Sequence, residues 1–277
     1  VFYKFLIDEY GMQPLAAAAL RGTAGGLILL VTLLLLRADL RVARREWPTF
    51  LAYGVFGVAL FFICYVNAIN LTGVAVAAVL MYTSPAWVAA ISSRWMGENL
   101  GRRGLAALGL AILGAALVAQ VYDPAQLQLN WLGVLFGLAA GLTYGLYSVF
   151  NKVLVRRNRP WVVQVYGLLI GALVLLPLTS PVQMAKGLAS TNTLLLVIGM
   201  GIVPTLLASM AFAFGVQWVP VSVAAIVATF EPVVATFFGY LFFGEHLDPL
   251  QWMGTACIVS AVLLLRPSTR ESAGGTS

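Results

Sequence analysis

Residues 73–100 read GVAVAAVLMYTSPAWVAAISSRWMGENL, and residues 220–247 read PVSVAAIVATFEPVVATFFGYLFFGEHL. Each stretch opens at a helix-breaking residue, continues as an apolar run with one proline at its centre, and closes on Gly-Glu-x-Leu. A shift of 147 positions lays Val76-Ala77-Ala78 on Val223-Ala224-Ala225, Pro85 on Pro232, Gly97-Glu98 on Gly244-Glu245 and Leu100 on Leu247. Alanine and valine match easily in apolar helices. The proline and the Gly-Glu-x-Leu tetrad do not. A shift of 148 adds Val1-Phe2 and Lys4 against Val149-Phe150 and Lys152. The chain reads as an internal duplication.

The composition around these stretches is that of a membrane protein. Of the 277 residues, 61% are hydrophobic and only 9% charged, with a mean hydropathy of +0.94. Soluble domains carry about 25% charged residues, so this chain lacks the polar surface to face water. That excludes a disordered chain, a secreted disulfide scaffold and a nucleic-acid binder. The two cysteines, Cys64 and Cys257, lie in apolar runs, where they act as small hydrophobes.

A helix needs about 20 apolar residues to cross the hydrocarbon core. Pro14–Leu36, Pro48–Leu71, Gly73–Met96, Gly104–Val121, Trp131–Val155, Trp161–Leu178, Leu194–Trp218, Val221–Phe243 and Leu250–Leu265 each qualify as spans 2 to 10. Val1–Ile7 is too short to cross and, lacking a basic start and a small-residue cleavage site, is a poor signal peptide. Since Trp131 begins span 6 and Phe150 maps onto Phe2, roughly 18 residues of a first span are expected upstream of Val1. Arg37, Arg41, Arg44 and Arg45 share one link, Arg102 and Arg103 another, and Arg156, Arg157 and Arg159 a third, while Arg266 and Arg270 follow the last span. The alternate links hold Asp8 and Glu9, Asp123, Lys186, and Glu245, His246 and Asp248. Positive charge stays inside, so the basic links and both termini are expected on the cytoplasmic side of the membrane.

The expected architecture is therefore all-α, with ten transmembrane helices in two five-helix repeats, residues 1–122 and 130–266, and a cytoplasmic tail at 267–277. Five crossings per half invert the second copy, a plan on which secondary transporters are commonly built, with the site near the midplane between the halves. Ser84-Pro85 and Glu231-Pro232, each followed by Gly-Glu-x-Leu, together with Pro14-Leu15 and Arg21, resemble the two copies of the EamA repeat of the drug/metabolite transporter superfamily. Within that superfamily the chain looks most like the YddG-type exporters of aromatic amino acids and metabolites. The resemblance implies a basket in which spans 1–4 and 6–9 surround a central cavity and spans 5 and 10 lie outside it.

Pro85 and Pro232 each sit 12 residues from both ends of their spans, about 18 Å in, at the midplane. A proline there removes a backbone hydrogen bond, and the pair reads as hinges. Glu231 is the one acid well inside a span. Such a group faces a cavity and is functional by default; the plainer reading is a protonated carboxyl bonded to a carbonyl freed by the kink. Arg21 either binds a substrate carboxylate or snorkels outward to Asp8 or Glu9. Lys4 and Lys152 read as interface anchors, Glu98 and Glu245 as carboxylates near helix N-termini, and His246 as a solvated loop residue. Mid-span Tyr65, Asn67, Tyr82, Ser84, Trp87, Tyr144, Tyr147, Met210, Phe214, Phe230 and Glu231 are the candidate cavity lining.

No His, Cys and acid cluster has metal spacing, no glycine-rich phosphate loop follows a strand, and no span holds an aspartate. No metal, cofactor or enzymatic machinery is expected. An aromatic-polar lining suits amphipathic solutes, so the expected function is export of small metabolites, amino acids first, by alternating access. Multidrug or other metabolite efflux is the alternative, and a scaffold or receptor without flux is the reading from another class. Expected partners are a small-molecule substrate and the lipid bilayer, not nucleic acid. Small residues Gly109, Gly114, Ala115, Ala116, Gly254 and Ala256 in spans 5 and 10 permit close helix approach within a monomer or across a homodimer.

Overall fold

The computed structural model describes residues 5–7, 9–123, 130–243 and 248–265, with Gly239, Tyr240, Phe242 and Phe243 described as backbone only. Expectations for Lys4, Asp8, Glu245, His246, Arg266, Arg270 and the tail at 267–277 fall outside the described residues. The chain is a multi-pass, all-helical membrane protein. Its α-helices are α1 (Pro14–Leu35), α2 (Trp47–Ala52), α3 (Leu60–Met81), α4 (Ser84–Trp95), α5 (Gly101–Val118), α6 (Trp131–Val155), α7 (Pro160–Leu175), α8 (Pro181–Lys186), α9 (Thr191–Met200), α10 (Ala208–Trp218), α11 (Val221–Ala228), α12 (Glu231–Phe243) and α13 (Pro249–Leu264).

Local chemistry sets the starts. Pro14, Pro160 and Pro249 occupy first-turn positions, where the missing N–H costs nothing. Asn130 caps α6 by accepting from the N–H groups of Leu132 and Gly133, at 3.0 and 3.3 Å. Asp248 and Gln251 form a reciprocal capping box on α13.

Seven helical stretches among the described residues are long and apolar enough to cross a membrane, against nine uninterrupted runs expected from the sequence. The difference has a physical origin. Arg44–Met81 counts as one stretch of 38 residues, although Gly73, at φ 80°, turns the chain within it. The run expected at 73–96 is then divided at Tyr82-Thr83, and the run at 221–243 at Thr229-Phe230. α13, at 16 residues, falls short of the seven stretches, each of which has at least 18.

Both divisions follow from the prolines. A proline ring clashes with the carbonyl four residues back and offers no N–H to it. Four before Pro85 is Met81, and four before Pro232 is Ala228, the last residues of α3 and α11. The intervening turns tighten to three-residue hydrogen bonds, Thr83 N–H to Leu80 O at 3.2 Å and Phe230 N–H to Val227 O at 3.0 Å. A threonine hydroxyl reinforces each: Thr83 donates to Leu80 O and Thr229 to Ile226 O, both at 2.6 Å. Pro85 and Pro232 each stand second in the helix that follows. The result is a pair of half-helices on each side, not one kinked rod.

The duplication reappears in wide helical turns. Tyr53–Ala59 and Gly201–Leu207 are π-helical, and they stand 148 positions apart. The first packs on α7 and the second on α1, as an inverted repeat requires, while α1 and α7 pack on each other. α5 and α13 form a separate pair in which Gly114 and Gly254 meet back to back. A Cβ on either would lie 2.7 Å from the other's carbonyl oxygen. Gly114 and Gly254 therefore serve a contact within the chain, whereas a Cβ on Gly109 would meet nothing within 4 Å.

All arginine-rich links gather at one end. There Glu46, 8% exposed, accepts from Asn158 Nδ2 at 2.9 Å and lies 3.9 Å from Arg157. A buried cluster of Phe50, Tyr53, Val88, Val149, Leu154, Val162, Ala213, Val216, Val221 and Ala225 draws α2, α4, α6, α7, α10 and α11 together at this end. At the other end Lys186 donates to Gly11 O at 2.7 Å, and Tyr122 donates to Asp248.

Candidate functional site

The two broken helices bring their breaks toward one region. Tyr82 occupies the first break and is 7% exposed, and Ser84, at the start of α4, is 4% exposed. Phe230 occupies the second break, and Glu231 begins α12; both are exposed. Glu231 lies within Coulombic reach of Arg21 on α1, Tyr82 beside α4, and Tyr144 on α6. Glu231 is thus an accessible carboxylate with polar groups of other helices near it, in a span where such a group is costly unless it meets a cavity or a partner. The Arg21 guanidinium sits 4.4 Å from the ring centroid of Phe62.

A continuous row of rings runs beside this acid. Phe61 stacks on Tyr65 at 5.7 Å and on Tyr144 at 5.1 Å; Tyr144 stacks on Tyr147 at 6.0 Å; Tyr147 meets Phe212 at 5.8 Å and Tyr53 at 5.4 Å. Offset aromatic stacks of this kind are favourable beyond their buried area. At the foot of the row is a polar knot. Asn151 Nδ2 donates to the Tyr53 hydroxyl at 3.1 Å, and that hydroxyl donates to Gln164 Oε1 at 3.4 Å. The knot joins α6, α7 and the first π-helix in the protein interior, where Asn151 and Gln164 are 0% and 1% exposed. Gly167 makes it possible, since a Cβ there would lie 2.1 Å from Tyr53 Cε1.

Tyr65, Tyr82, Tyr144, Tyr147 and Glu231 thus share one neighbourhood. The other candidates are placed elsewhere or turned away. Asn67 Nδ2 donates to Ile63 O at 2.8 Å, one turn back on its own helix. Trp87, exposed, lies against Gly145 of α6. Met210 packs on Leu29, Leu33 and Val165, and Phe214 meets Trp161 at 6.3 Å toward the arginine-rich end. Tyr53, Phe61, Phe62, Phe212 and Gln164 were not singled out from the sequence. Gln164 carried a signal, being an amide in the apolar run Trp161–Leu178; the phenylalanines carried none.

Two other expectations change. Lys152 is not an interface anchor: it is 8% exposed and donates to backbone carbonyls at the end of α10. Glu98 caps a helix N-terminus, but that of α11, 123 residues on. A cavity of about 680 Å³ lies between α4 and α5, lined by Ala86, Ala90, Ser93, Arg102, Leu105 and Leu108 among others, apart from the tyrosine row. Among the described residues no group of three His, Cys, Asp or Glu side chains could hold a metal ion.

Comparison with known proteins adds a family. The model of the EamA-like transporter family matches residues 1–120 and 131–266. An uncharacterized transporter of Archaeoglobus fulgidus is 35% identical over 81% of this chain and 78% of its own. The pseudopaline exporter CntI of Pseudomonas aeruginosa is 27% identical over 86% of this chain and 81% of its own. A probable terminal-alkyne amino-acid exporter of Streptantibioticus cattleyicolor is 24% identical over 91% and 81%. One crystal structure superposes with a TM-score of 0.73 at 20% identity, covering 95% of this chain and 92% of the other, which speaks for the fold.

Proposed function

The chain belongs to the EamA-like transporter family, and from that premise we propose that it is a secondary exporter of small amphipathic metabolites, amino acids with aromatic or large apolar side chains above all. The observation that carries the substrate class is the placing of Glu231 and Arg21 within Coulombic reach of each other beside the row Tyr65, Phe61, Tyr144 and Tyr147. Glu231 supplies a carboxylate for a substrate ammonium and Arg21 a guanidinium for a substrate carboxylate. The ring row offers an apolar, π-faced wall to the side chain. Tyr82, at the first break, supplies a further hydroxyl within Coulombic reach of Glu231.

On this reading the site lies at the midplane of a ten-helix basket built from residues 1–122 and 130–266. The arginine-rich end is cytoplasmic, as are both termini, in a bacterial inner membrane. Pro85 and Pro232 act as hinges because each lets a half-helix swing about a two-residue turn. Bending at one break moves the cytoplasmic half of its span; bending at the other moves the outer half. Alternating access follows from the two inverted breaks in turn. Two relatives named as exporters, one of them of an amino acid, accord with the direction and class. Ser84 and Phe230, at the two breaks, complete the lining.

The test is flux. Purified protein in liposomes should move labelled tryptophan, phenylalanine or leucine faster than protein-free vesicles. Uptake of a cationic dye with no flux of any amino acid in a broad panel would replace this reading with multidrug efflux.

A further inference from the structure

The arginine-rich end holds a feature that the substrate site does not use. α10 ends at Trp218, the chain turns through Val219-Pro220, and α11 begins at Val221. Two charged side chains grip this turn through its backbone. From α6, Lys152 Nζ donates to Val216 O at 2.6 Å and Val219 O at 2.8 Å, with Gln217 O at 3.5 Å. From the link between α4 and α5, the Glu98 carboxylate accepts from Val221 N–H at 3.1 Å, Ser222 N–H at 3.2 Å and the Ser222 hydroxyl at 2.9 Å.

Each charge has the sign its target wants. Helix C-termini leave carbonyls without partners and attract cations; N-termini leave N–H groups and attract anions. Here one turn joins a C-terminus to an N-terminus, and it receives one cation and one anion, themselves within Coulombic reach of each other. The gripping residues come from α6 and from the α4–α5 link, so the turn is tied to elements of both halves. Directly inward of it Val216, Val221, Ala213 and Ala225 enter the buried cluster that draws six elements together and shuts this end. α11 is a lever of eight residues that ends at the break before Glu231.

We propose that Lys152 and Glu98 are positioning residues for the transport cycle: together they latch the 216–222 turn, hold the cytoplasmic end shut, and release it when the cavity opens to the cytoplasm. The proposal rests on the transport reading and its cytoplasmic assignment of the arginine-rich end. The latch is reversible because its targets are backbone groups and one hydroxyl. When α11 swings away, cytoplasmic water takes over those hydrogen bonds, and the two charges regain solvent. No buried ion pair has to be broken.

The test reads accessibility at both faces, in protein carrying Cys64→Ala and Cys257→Ala. One reporter is Ala225→Cys, 5% exposed within the cluster, and the other is Val234→Cys, on α12 and 41% exposed. A membrane-impermeant maleimide is applied to inside-out and right-side-out vesicles. Lys152→Met and Glu98→Gln should each speed labelling at position 225 from the cytoplasmic side at least about tenfold, since each weakens more than one charge-assisted hydrogen bond and one alone is worth roughly that factor. Each should also slow labelling at position 234 from outside, because opening one face closes the other. Ser222→Ala, which removes one bond to Glu98 and leaves both charges in place, should give a smaller shift of the same signs. It keeps the test decisive if Lys152→Met does not fold. Unchanged labelling at 225 in Glu98→Gln and Ser222→Ala, or faster labelling at both faces as from general loosening, would overturn the latch. Labelling shifts of opposite sign without amino-acid flux would uphold the latch and remove only the substrate class.

Discussion

Tyr53→Phe removes a single oxygen atom from the centre of the polar knot and leaves the ring where it was. That oxygen accepts from Asn151 Nδ2 at 3.1 Å and donates to Gln164 Oε1 at 3.4 Å. Both amides are buried, Asn151 Oδ1 and Gln164 Nε2 have no partner among the described residues, and the Tyr147 hydroxyl also reaches the knot. Side-chain hydrogen bonds inside membrane proteins average about 0.6 kcal/mol and reach about 1.7. The Gln164 bond is long and belongs at the low end of that range. The loss should total about 1–2 kcal/mol, the larger figure applying if the two amides are left without partners. Unfolding free energy measured in bicelles or mixed micelles, by steric trapping or detergent titration, reads it directly. The control is the triple change Tyr53→Phe, Asn151→Leu and Gln164→Leu. Replacing these three side chains by apolar groups removes both buried amides with their unpartnered atoms and leaves the Tyr147 hydroxyl, so it should recover part of the loss. Unchanged stability in Tyr53→Phe, or a triple variant much weaker than the single one, would refute the assignment of the Tyr53 hydroxyl as the centre of a stabilising polar junction.

Gly114→Ala and Gly254→Ala should each lower stability by about 1–3 kcal/mol in a thermal unfolding assay, because the added Cβ would stand 2.7 Å from a backbone oxygen. Pro85→Ala and Pro232→Ala let the helix run through the break, so folded protein should hold or rise while initial flux per folded molecule falls well below wild type. Wild-type flux in both would remove the hinges. Desolvation and its hydrogen bond to Asp248 push Tyr122 up to about 12, and the same bond, with the Gln251 N–H, holds Asp248 below the ordinary carboxylate range. The tyrosine's contribution is complete below its unfolded pKa of about 10 and is lost as pH rises through about 12; the aspartate's is present above about 3.9 and is lost as pH falls through its lower folded value. The unfolding midpoint should therefore be level between about pH 5 and 9 and drop on both sides, with Tyr122→Phe flattening the alkaline drop.

The duplication and the breaks were legible because proline acts locally. Its clash reaches four residues back, so Pro85 and Pro232 alone fix where α3 and α11 stop. Glu231 was legible for a similar reason: a charge amid twenty apolar residues is costly enough to stand out. The ring row was visible only in part. Tyr65, Tyr144 and Tyr147 could be singled out as polar atoms in apolar runs, but Phe61 and Phe212 are indistinguishable in sequence from lipid-facing phenylalanines. Met210 and Phe214 show the converse, since which face of a helix a residue occupies depends on its neighbours. Partners far along the chain were the least legible. Nothing near Glu98 announces that its carboxylate caps a helix beginning at Val221, and nothing near Lys152 points to the carbonyls of α10. Two wide helical turns, at Tyr53–Ala59 and Gly201–Leu207, have no sequence mark beyond Pro204 in the second.

On the proposed reading, Glu231 and Arg21 bind the two charges of one amino acid while the tyrosine row takes its side chain. The most direct measurement is counterflow of labelled phenylalanine into proteoliposomes preloaded with unlabelled phenylalanine, with phenylalaninamide, which lacks the carboxylate, or with phenylpropionate, which lacks the ammonium. Phenylalanine alone should drive full counterflow, and Glu231→Gln should abolish the advantage of phenylalanine over phenylpropionate. Equal counterflow from all three preloads in the wild-type protein would contradict the claim.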